Sequence, residues 1–83
     1  MGLSSPGQVV RMESDHVGIV DIKGASRRVR LSLITARGAR VAVGDWLLVQ
    51  LDLAVASLDA AEADELTHLI AAIQFTQRTP RSA

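Results

Sequence analysis

Residues 16–33 read HVGIVDIKGASRRVRLSL, and this stretch decides the class of fold. Residues 16–22 have a strand pattern with four Val and Ile residues, and they are followed by Lys23-Gly24, a dipeptide typical of a turn. From Arg28 to Leu33 polar and apolar residues alternate, which is the period of a β-strand with one buried face. The apolar face of this predicted strand carries Val29, Leu31 and Leu33.

Strands are also predicted on both sides of this stretch. Residues 8–13 (QVVRME) follow Pro6-Gly7, and the polar turn Ser14-Asp15 joins them to residues 16–22 as a hairpin. A basic loop over 35–43 and the turn Gly44-Asp45 come next. They are followed by a predicted strand over 46–52 and a short extension over 53–58. Several short strands with small turns favour a small barrel or a sandwich over a βαβ fold.

The last third of the chain has the pattern of an amphipathic helix. Asp59 and Glu62 stand at the spacing of a capping box, in which each side chain accepts a hydrogen bond from the other residue's backbone N–H. Apolar residues recur at spacings of three and four and predict one stripe: Ala63, Leu66, Ile70 and Ile73. The predicted helix covers residues 59–76, and residues 77–83 are expected to form a flexible tail.

The composition excludes several classes of function. The chain has 83 residues and is 48% hydrophobic, which suits one small domain with one core. It contains no cysteine, so disulfides, thiolate metal sites and cysteine nucleophiles are excluded. Nine basic and nine acidic residues give a net charge of zero, which argues against a general polyanion binder. No membrane span or signal peptide is recognisable, so we expect a cytoplasmic protein.

Neither catalysis nor metal binding is predicted. His16 and His68 are far apart in the sequence, and no third ligand stands at a suitable spacing. The glycines form no phosphate-binding motif, and the serines lack a nucleophile elbow. We therefore predict a non-enzyme with no catalytic residues, no metal ligands and no cofactor.

The arginines of the central region allow two interpretations. Five of them lie within residues 27–40: Arg27, Arg28, Arg30, Arg37 and Arg40. A basic face on a barrel of oligonucleotide-binding type binds single strands when aromatic side chains stack on the bases. Trp46 and Phe75 are the only residues of the Trp, Tyr and Phe types, so such a platform is absent from the sequence. A solvated strand face with salt bridges is therefore the favoured interpretation.

Four segments in order resemble the hydrogenase-assembly chaperone family, HypC/HupF, from Met1 to about Phe75. The family begins with Met-Cys, reaches Pro-Gly soon afterwards, and has a Val-Gly-Asp-aromatic-Val-Leu-Val strand. The matching segments here are Pro6-Gly7-Gln8, residues 20–34 (VDIKGASRRVRLSLI), residues 43–49 (VGDWLLV) and residues 58–63 (LDAAEA). Each segment is weak by itself, but the four occur in the family's order at near-family spacing.

The resemblance implies a mainly β fold, a small barrel of oligonucleotide-binding type followed by a C-terminal α-helix. The family-like domain covers residues 1–76, with an N-terminal arm at 1–7, the barrel at 8–58 and the helix at 59–76. The resemblance also implies an accessory chaperone in nickel–iron hydrogenase maturation, which helps to deliver iron carrying cyanide and carbon monoxide. Its implied partners are the hydrogenase large-subunit precursor and a HypD-like maturation protein.

The family pattern is altered at residues that matter for this chemistry. The family's N-terminal cysteine corresponds to Gly2, its strand histidine to Gln50 and its following glycine to Asp52. Because glycine cannot replace a thiolate ligand, the iron-carrier role is not expected to carry over. The partner-binding residues that the resemblance implies are Gly2, Leu3, Pro6, Gly7 and Gln50. The alternative function is a small barrel adapter or a single-stranded nucleic-acid-binding module.

Overall fold

The backbone is described for residues 4–78, and the side chains for residues 4–72, in a computed structural model of the chain. Five strands and two helices follow one another along the sequence. They are β1 (Ser5–Met12), β2 (Val17–Ile22), β3 (Ala25–Arg30), α1 (Ser32–Thr35), β4 (Trp46–Gln50), β5 (Leu53–Leu58) and α2 (Ala60–Arg78).

The five strands close into a barrel in the order β1-β2-β3-β5-β4, and β4 pairs with β1 to complete the circle. All neighbours are antiparallel except β3 and β5, which are parallel and meet at the pair Arg30 and Leu53. The fold is therefore mainly β, a small barrel of oligonucleotide-binding type with a helix after the last strand. This confirms the predicted fold class and decides between barrel and sandwich.

The barrel interior is filled by aliphatic side chains. The buried cluster consists of Val9, Val20, Val29, Leu31, Ile34, Leu47, Val49 and Ala54. Among the described residues, no polar or charged side chain is buried with it. An all-aliphatic interior of this kind supplies stability through area removed from water and places all of the polar chemistry on the outside.

The strand expected over residues 28–33 lies three residues earlier in the structure, at Ala25–Arg30. β3 ends at Arg30, and the next residues form the short helix α1, which covers one end of the barrel. Leu31 and Ile34 are both buried, and this spacing of three suits a helical turn better than an alternating strand. The backbone N–H of Thr35 donates to the carbonyl of Leu31 at 3.0 Å and closes that turn.

The first strand begins earlier than predicted. β1 starts at Ser5 instead of Gln8, so Pro6 and Gly7 are residues of a barrel strand and not of a separate arm. Pro6 pairs with Leu48 of β4, while pairing with β2 starts only at Gln8. A proline is tolerated in a strand that is paired on only one side. Its nitrogen can face the unpaired side, where no hydrogen bond of the sheet is lost.

The last helix begins with the predicted capping box. The backbone N–H of Glu62 donates to Asp59 Oδ1 at 2.7 Å, and the backbone N–H of Asp59 donates to Glu62 Oε1 at 2.9 Å. Helix α2 continues to Arg78, two residues past the predicted end, and residues 79–83 of the expected tail lie outside the described part. Over residues 4–78, no helix has the length and apolar character to cross a membrane.

The apolar stripe of α2 is only partly covered by the barrel. Ala63 is buried, whereas Leu66 and Ile70 are half-buried. Leu69, beside the stripe, is exposed, and the side chain of Ile73 lies outside the described part. The helix packs on β1, β4 and β5, so it covers the side of the barrel where β1 begins.

Candidate partner-binding site

The barrel end where β1 begins and β4 ends carries one of the predicted contact residues. Ser5 is the first residue of β1 and pairs with Val49. Gln50 follows Val49 as the last residue of β4, and it is exposed. The N-terminal end of β1 therefore lies next to Gln50. Gly2 and Leu3, two further predicted contact residues, lie outside the described residues.

The turn after Gln50 is attached to β3 by two contacts of Asp52. Its carboxylate Oδ1 lies 3.2 Å from Nη2 of Arg27, and its carbonyl accepts a hydrogen bond from the N–H of Arg30 at 2.7 Å. Between Gln50 and Asp52, Leu51 adopts a left-handed backbone with a φ of 58° and is 74% exposed. An aliphatic side chain thus stands in solvent at the tip of this turn.

Pro6 takes part in a different feature, a cleft of about 290 Å³ between the barrel and α2. Its lining residues are Pro6, Asp21, Lys23, Gly24, Trp46, Thr67, Ile70 and Ala71. Trp46 and Ile70 give it apolar walls, and Asp21 and Lys23 add one charge of each sign. Such a cleft suits an apolar side chain of a partner better than a charged one. Pro6 pairs with Leu48, two residues before Gln50 in β4, so the cleft and the barrel end are neighbours.

The cleft was not predicted from the sequence. Its apolar walls come from Trp46, which follows the Gly44-Asp45 turn, and from Ile70 on the predicted helix stripe. Both residues were visible as apolar positions, but their proximity depends on how α2 crosses β1 and β4. A tryptophan directly after a turn was the one local signal of a site there, because tryptophan is often found at interfaces; in the structure Trp46 is half-buried.

Gly7 is buried and acts as a packing residue. A β-carbon at this position would lie 2.5 Å from Cγ1 of Val20 and 2.8 Å from Cγ1 of Ile22. Only a residue without a side chain lets β1 approach β2 this closely. Gly7 therefore has no side chain to present to a partner, and its close approach to Val20 and Ile22 shows a packing role in the barrel.

The two histidines do not converge on a metal. His16 lies in a second cleft at the α1 end of the barrel, where its Nδ1 is 3.2 Å from Oγ1 of Thr35. His68 lies on α2, with its Nδ1 2.8 Å from the carbonyl oxygen of Asp64. Within the described part of the chain, no three residues of the His, Cys, Asp and Glu types come together as a metal site.

The basic strand face is compensated by acidic side chains. Glu13 forms ion pairs with both Arg11 and Arg28, at 3.2 and 3.0 Å, and Arg27 pairs with Asp52. This is the face on which barrels of the oligonucleotide-binding type hold nucleic acids. Strands β2 and β3 carry no aromatic side chain on it, so bases have no stacking surface there.

Comparison with known proteins identifies the family of this barrel and helix. A sequence model described as the HupF/HypC family matches residues 1–70. The chain belongs to the HupF/HypC family. The hydrogenase maturation factor HypC of Cupriavidus necator is 30% identical over 77 residues, which cover 93% of this chain and 81% of that protein. The HypC of Helicobacter hepaticus is 30% identical over 69 residues, covering 83% of this chain and 77% of that protein.

Membership in the HupF/HypC family confirms the resemblance found in the sequence. It places the chain among the hydrogenase maturation factors of the HypC type, which are chaperones and not enzymes. The relationship is distant, and this family member has no cysteine anywhere in its 83 residues. In the described part, the Gln50 end of the barrel and the cleft lined by Pro6 and Trp46 are two candidate features for partner contact.

Proposed function

We propose that this HupF/HypC-family chain is an accessory chaperone of nickel–iron hydrogenase maturation that binds its protein partners through the Gln50 end of the barrel. The partners are the large-subunit precursor, a HypD-like maturation protein, or both. One observation carries the proposal: the pairing of Ser5 with Val49 leads the N-terminal end of β1 directly to Gln50. The resemblance to the family assigns partner contact to these same two regions of the sequence.

The neighbouring cleft supports this assignment. Pro6 lines it together with Trp46 and Ile70, so its apolar surface begins only a short distance along the strands from Gln50. Protein interfaces combine buried apolar anchors with a polar rim. The cleft provides room for one anchor side chain of a partner, and Gln50 provides a polar contact at its margin. A cytoplasmic location, as expected from the sequence, is part of the proposal.

We also propose that the chain works without carrying iron on its own side chains. Iron with cyanide and carbon monoxide ligands is the cargo of the pathway, and a soft thiolate is the ligand suited to it. The sequence has no cysteine, and Gln50 stands where the family has a histidine. An amide is a poor ligand for such a centre, so the remaining function is protein binding.

The barrel fold is compatible with the nucleic-acid alternative, but the surface of the barrel argues against it. The β2 and β3 face lacks aromatic residues, and Glu13 pairs with Arg28 of β3 as well as with Arg11 of β1. Binding to single-stranded oligonucleotides that falls steeply with salt would support this alternative.

The proposed function is tested by titrating the purified chain with the purified large-subunit precursor and, separately, with the HypD-like protein in a calorimeter. We expect saturable binding to at least one of them. Gln50→Ala should weaken that binding about tenfold, which corresponds to about 1.4 kcal/mol. Ser57→Ala is the matched control, because Ser57 is an exposed polar residue of the neighbouring strand that pairs with Leu47, away from this barrel end.

Two results would contradict the proposal in different ways. If the parent chain binds neither protein, the function itself is wrong. If Gln50→Ala and Ser57→Ala both bind as tightly as the parent, the chain is a chaperone whose recognition surface lies elsewhere. Circular dichroism of each variant checks that the barrel and helix are intact before binding is compared.

A further inference from the structure

The side of β3 that faces away from β2 is an open sheet edge over most of its length. β3 meets β5 at a single residue pair, Arg30 with Leu53. Within residues 4–78, no strand pairs with this side of residues 25–29, and residues 25–28 are exposed. We call the backbone of residues 25–29 on this side the β3 edge.

Two hydrogen bonds fix the direction of the backbone groups at the end of β3. The N–H of Arg30 donates to the carbonyl of Asp52 at 2.7 Å, across the junction with β5. The N–H of the next residue, Leu31, donates to the carbonyl of His16 at 2.7 Å, toward β2. Successive residues of an extended strand direct their N–H and C=O groups to opposite sides, so the side of each β3 residue follows from these two.

Ser26 and Arg28 therefore direct their N–H and C=O groups to the β3 edge, because each lies an even number of residues from Arg30. Ala25 follows the two-residue turn and pairs with Ile22, so its N–H and C=O face β2. This agrees with the alternation, because Ala25 lies an odd number of residues from Arg30. The β3 edge thus offers two N–H donors and two C=O acceptors, from residues two positions apart. This is the spacing that a neighbouring strand needs to form hydrogen bonds. Sheet edges of this kind are templates for an added strand.

The side chains around the β3 edge are basic. Arg30 is exposed, and no ion pair of it is seen among the described residues. Arg28 is 70% exposed and pairs with Glu13, and Arg27 is 53% exposed and pairs with Asp52. Exposed pairs of this kind are weak, so the carboxylates of a partner can compete for Arg28. No acidic residue lies between residues 22 and 44 of the sequence. Two copies of this edge, paired with each other, would bring their arginines together, and like charges directly opposite in a sheet are destabilising. An acidic segment would instead gain from the same charges.

We propose that the β3 edge binds an extended, acidic segment of a partner protein as an added β-strand. The partner's backbone pairs with Ser26 and Arg28, and its carboxylates lie beside Arg28 and Arg30. Because Arg30 is bonded to Asp52 in the turn after Gln50, a segment bound there ends close to the Gln50 end of the barrel. The proposal does not depend on the hydrogenase function, since the surface is defined by its backbone groups and charge alone.

The test uses a short acetylated peptide of alternating Val and Glu residues, added to the full chain labelled for NMR. We expect the backbone amides of Ser26 and Arg28 to shift most and to exchange more slowly with solvent as the peptide binds. The same peptide with an N-methyl group on every residue has no backbone N–H left on either side, so it cannot donate to the ladder and should not bind. A peptide with Lys in place of Glu should bind at least tenfold more weakly.

A variant of the protein provides an independent test of strand addition at the β3 edge. Arg28→Pro removes the N–H that faces the β3 edge but leaves the bonds to β2 in place, which is why proline is accepted on edge strands. It should abolish peptide binding, whereas Arg28→Lys should retain it. If Arg28→Pro does not fold, the comparison between the N-methylated and unmodified peptides still decides the question.

Three outcomes would overturn the proposal. The first is the absence of amide shifts at Ser26 and Arg28 at millimolar peptide, a concentration at which even weak strand addition is detectable. The second is equal binding of the unmodified and N-methylated peptides, which would mean that the backbone ladder is not used. The third is a concentration-dependent dimer whose shifts fall on Ser26 and Arg28 without peptide, which would assign the β3 edge to a second copy of the chain.

Discussion

Gly7 lies so close to Val20 that a β-carbon on the glycine would stand 2.5 Å from Cγ1 of the valine. The Pro6-Gly7 step is therefore part of the barrel wall, with Pro6 on the outside under α2 and Gly7 on the inside. This contact explains why a dipeptide that resembles a bend in the sequence occurs within a strand. It also gives the first prediction, because the position has no room for any side chain.

Gly7→Ala should destabilise the protein by about 1–3 kcal/mol, the usual cost of inserting a methyl group into a filled core. Urea unfolding measures the change. Gly18→Ala is the matched control, since a β-carbon at Gly18 would meet its nearest atoms at 3.4 Å, which is ordinary contact. Equal stability of the two variants would show that β1 does not approach β2 as closely as described.

Leu31→Ala should cost about 2–5 kcal/mol, because Leu31 is fully buried among the aliphatic residues of the barrel. The residue belongs to the core even though it lies just outside β3. Leu69→Ala serves as the control, since Leu69 is 55% exposed on α2 and its truncation should cost less than about 0.5 kcal/mol. Both values are read from thermal or urea unfolding, and a loss at Leu31 as small as that at Leu69 would place Leu31 on the surface.

Leu51→Gly should stabilise the protein by about 1 kcal/mol, because a left-handed backbone is costly for leucine and free of that cost for glycine. Little burial is lost, since Leu51 is 74% exposed. Val43→Gly is the comparison: Val43 is 62% exposed and has a negative φ, so the same change there should lower stability by about 0.5 kcal/mol. The melting temperature of the Leu51→Gly variant should be higher than that of the Val43→Gly variant. The opposite order would contradict the prediction.

Asp59→Ala should remove the capping box of α2 and lower stability by about 0.5–2 kcal/mol. Asp59 Oδ1 accepts a hydrogen bond from the N–H of Glu62 at 2.7 Å, so the alanine variant leaves that donor without its partner. Helicity at 222 nm and the unfolding midpoint should both fall. Glu65→Ala, a change at an exposed residue further along the same helix, should alter neither by a comparable amount. An unchanged midpoint in both variants would mean that α2 does not contribute to the cooperative unit.

The isolated protein should not retain iron after anaerobic purification from a host with the maturation machinery. This follows from the lack of any cysteine and from glutamine at position 50. Elemental analysis and infrared spectroscopy provide the measurement, and cyanide and carbonyl stretches on the purified chain would contradict the prediction. A variant with Gly2→Cys and Gln50→His provides the comparison, and we expect it to hold more iron than the parent because it supplies a thiolate and an imidazole.

The sequence by itself determined the class of the fold and the local details that depend on neighbouring residues. The β-branched runs separated by turns predicted a small barrel or sandwich, and the Asp59 and Glu62 spacing predicted the start of the last helix. The family resemblance narrowed the fold to a barrel. Val29 and Leu31 were also correctly predicted as core residues, because the alternation of apolar residues records which face is buried.

Only the tertiary structure decided the features that depend on residues far apart in the chain. Pro6 and Gly7 are strand residues because β4 and β2 lie beside them, which no local pattern around residue 7 reveals. Leu33 lies in α1 and not in a strand, because burying both Leu31 and Ile34 at the barrel end requires a helical turn. The cleft under α2 and the open edge of β3 likewise arise from strand order and helix packing, and these are set by long-range contacts rather than by local propensity.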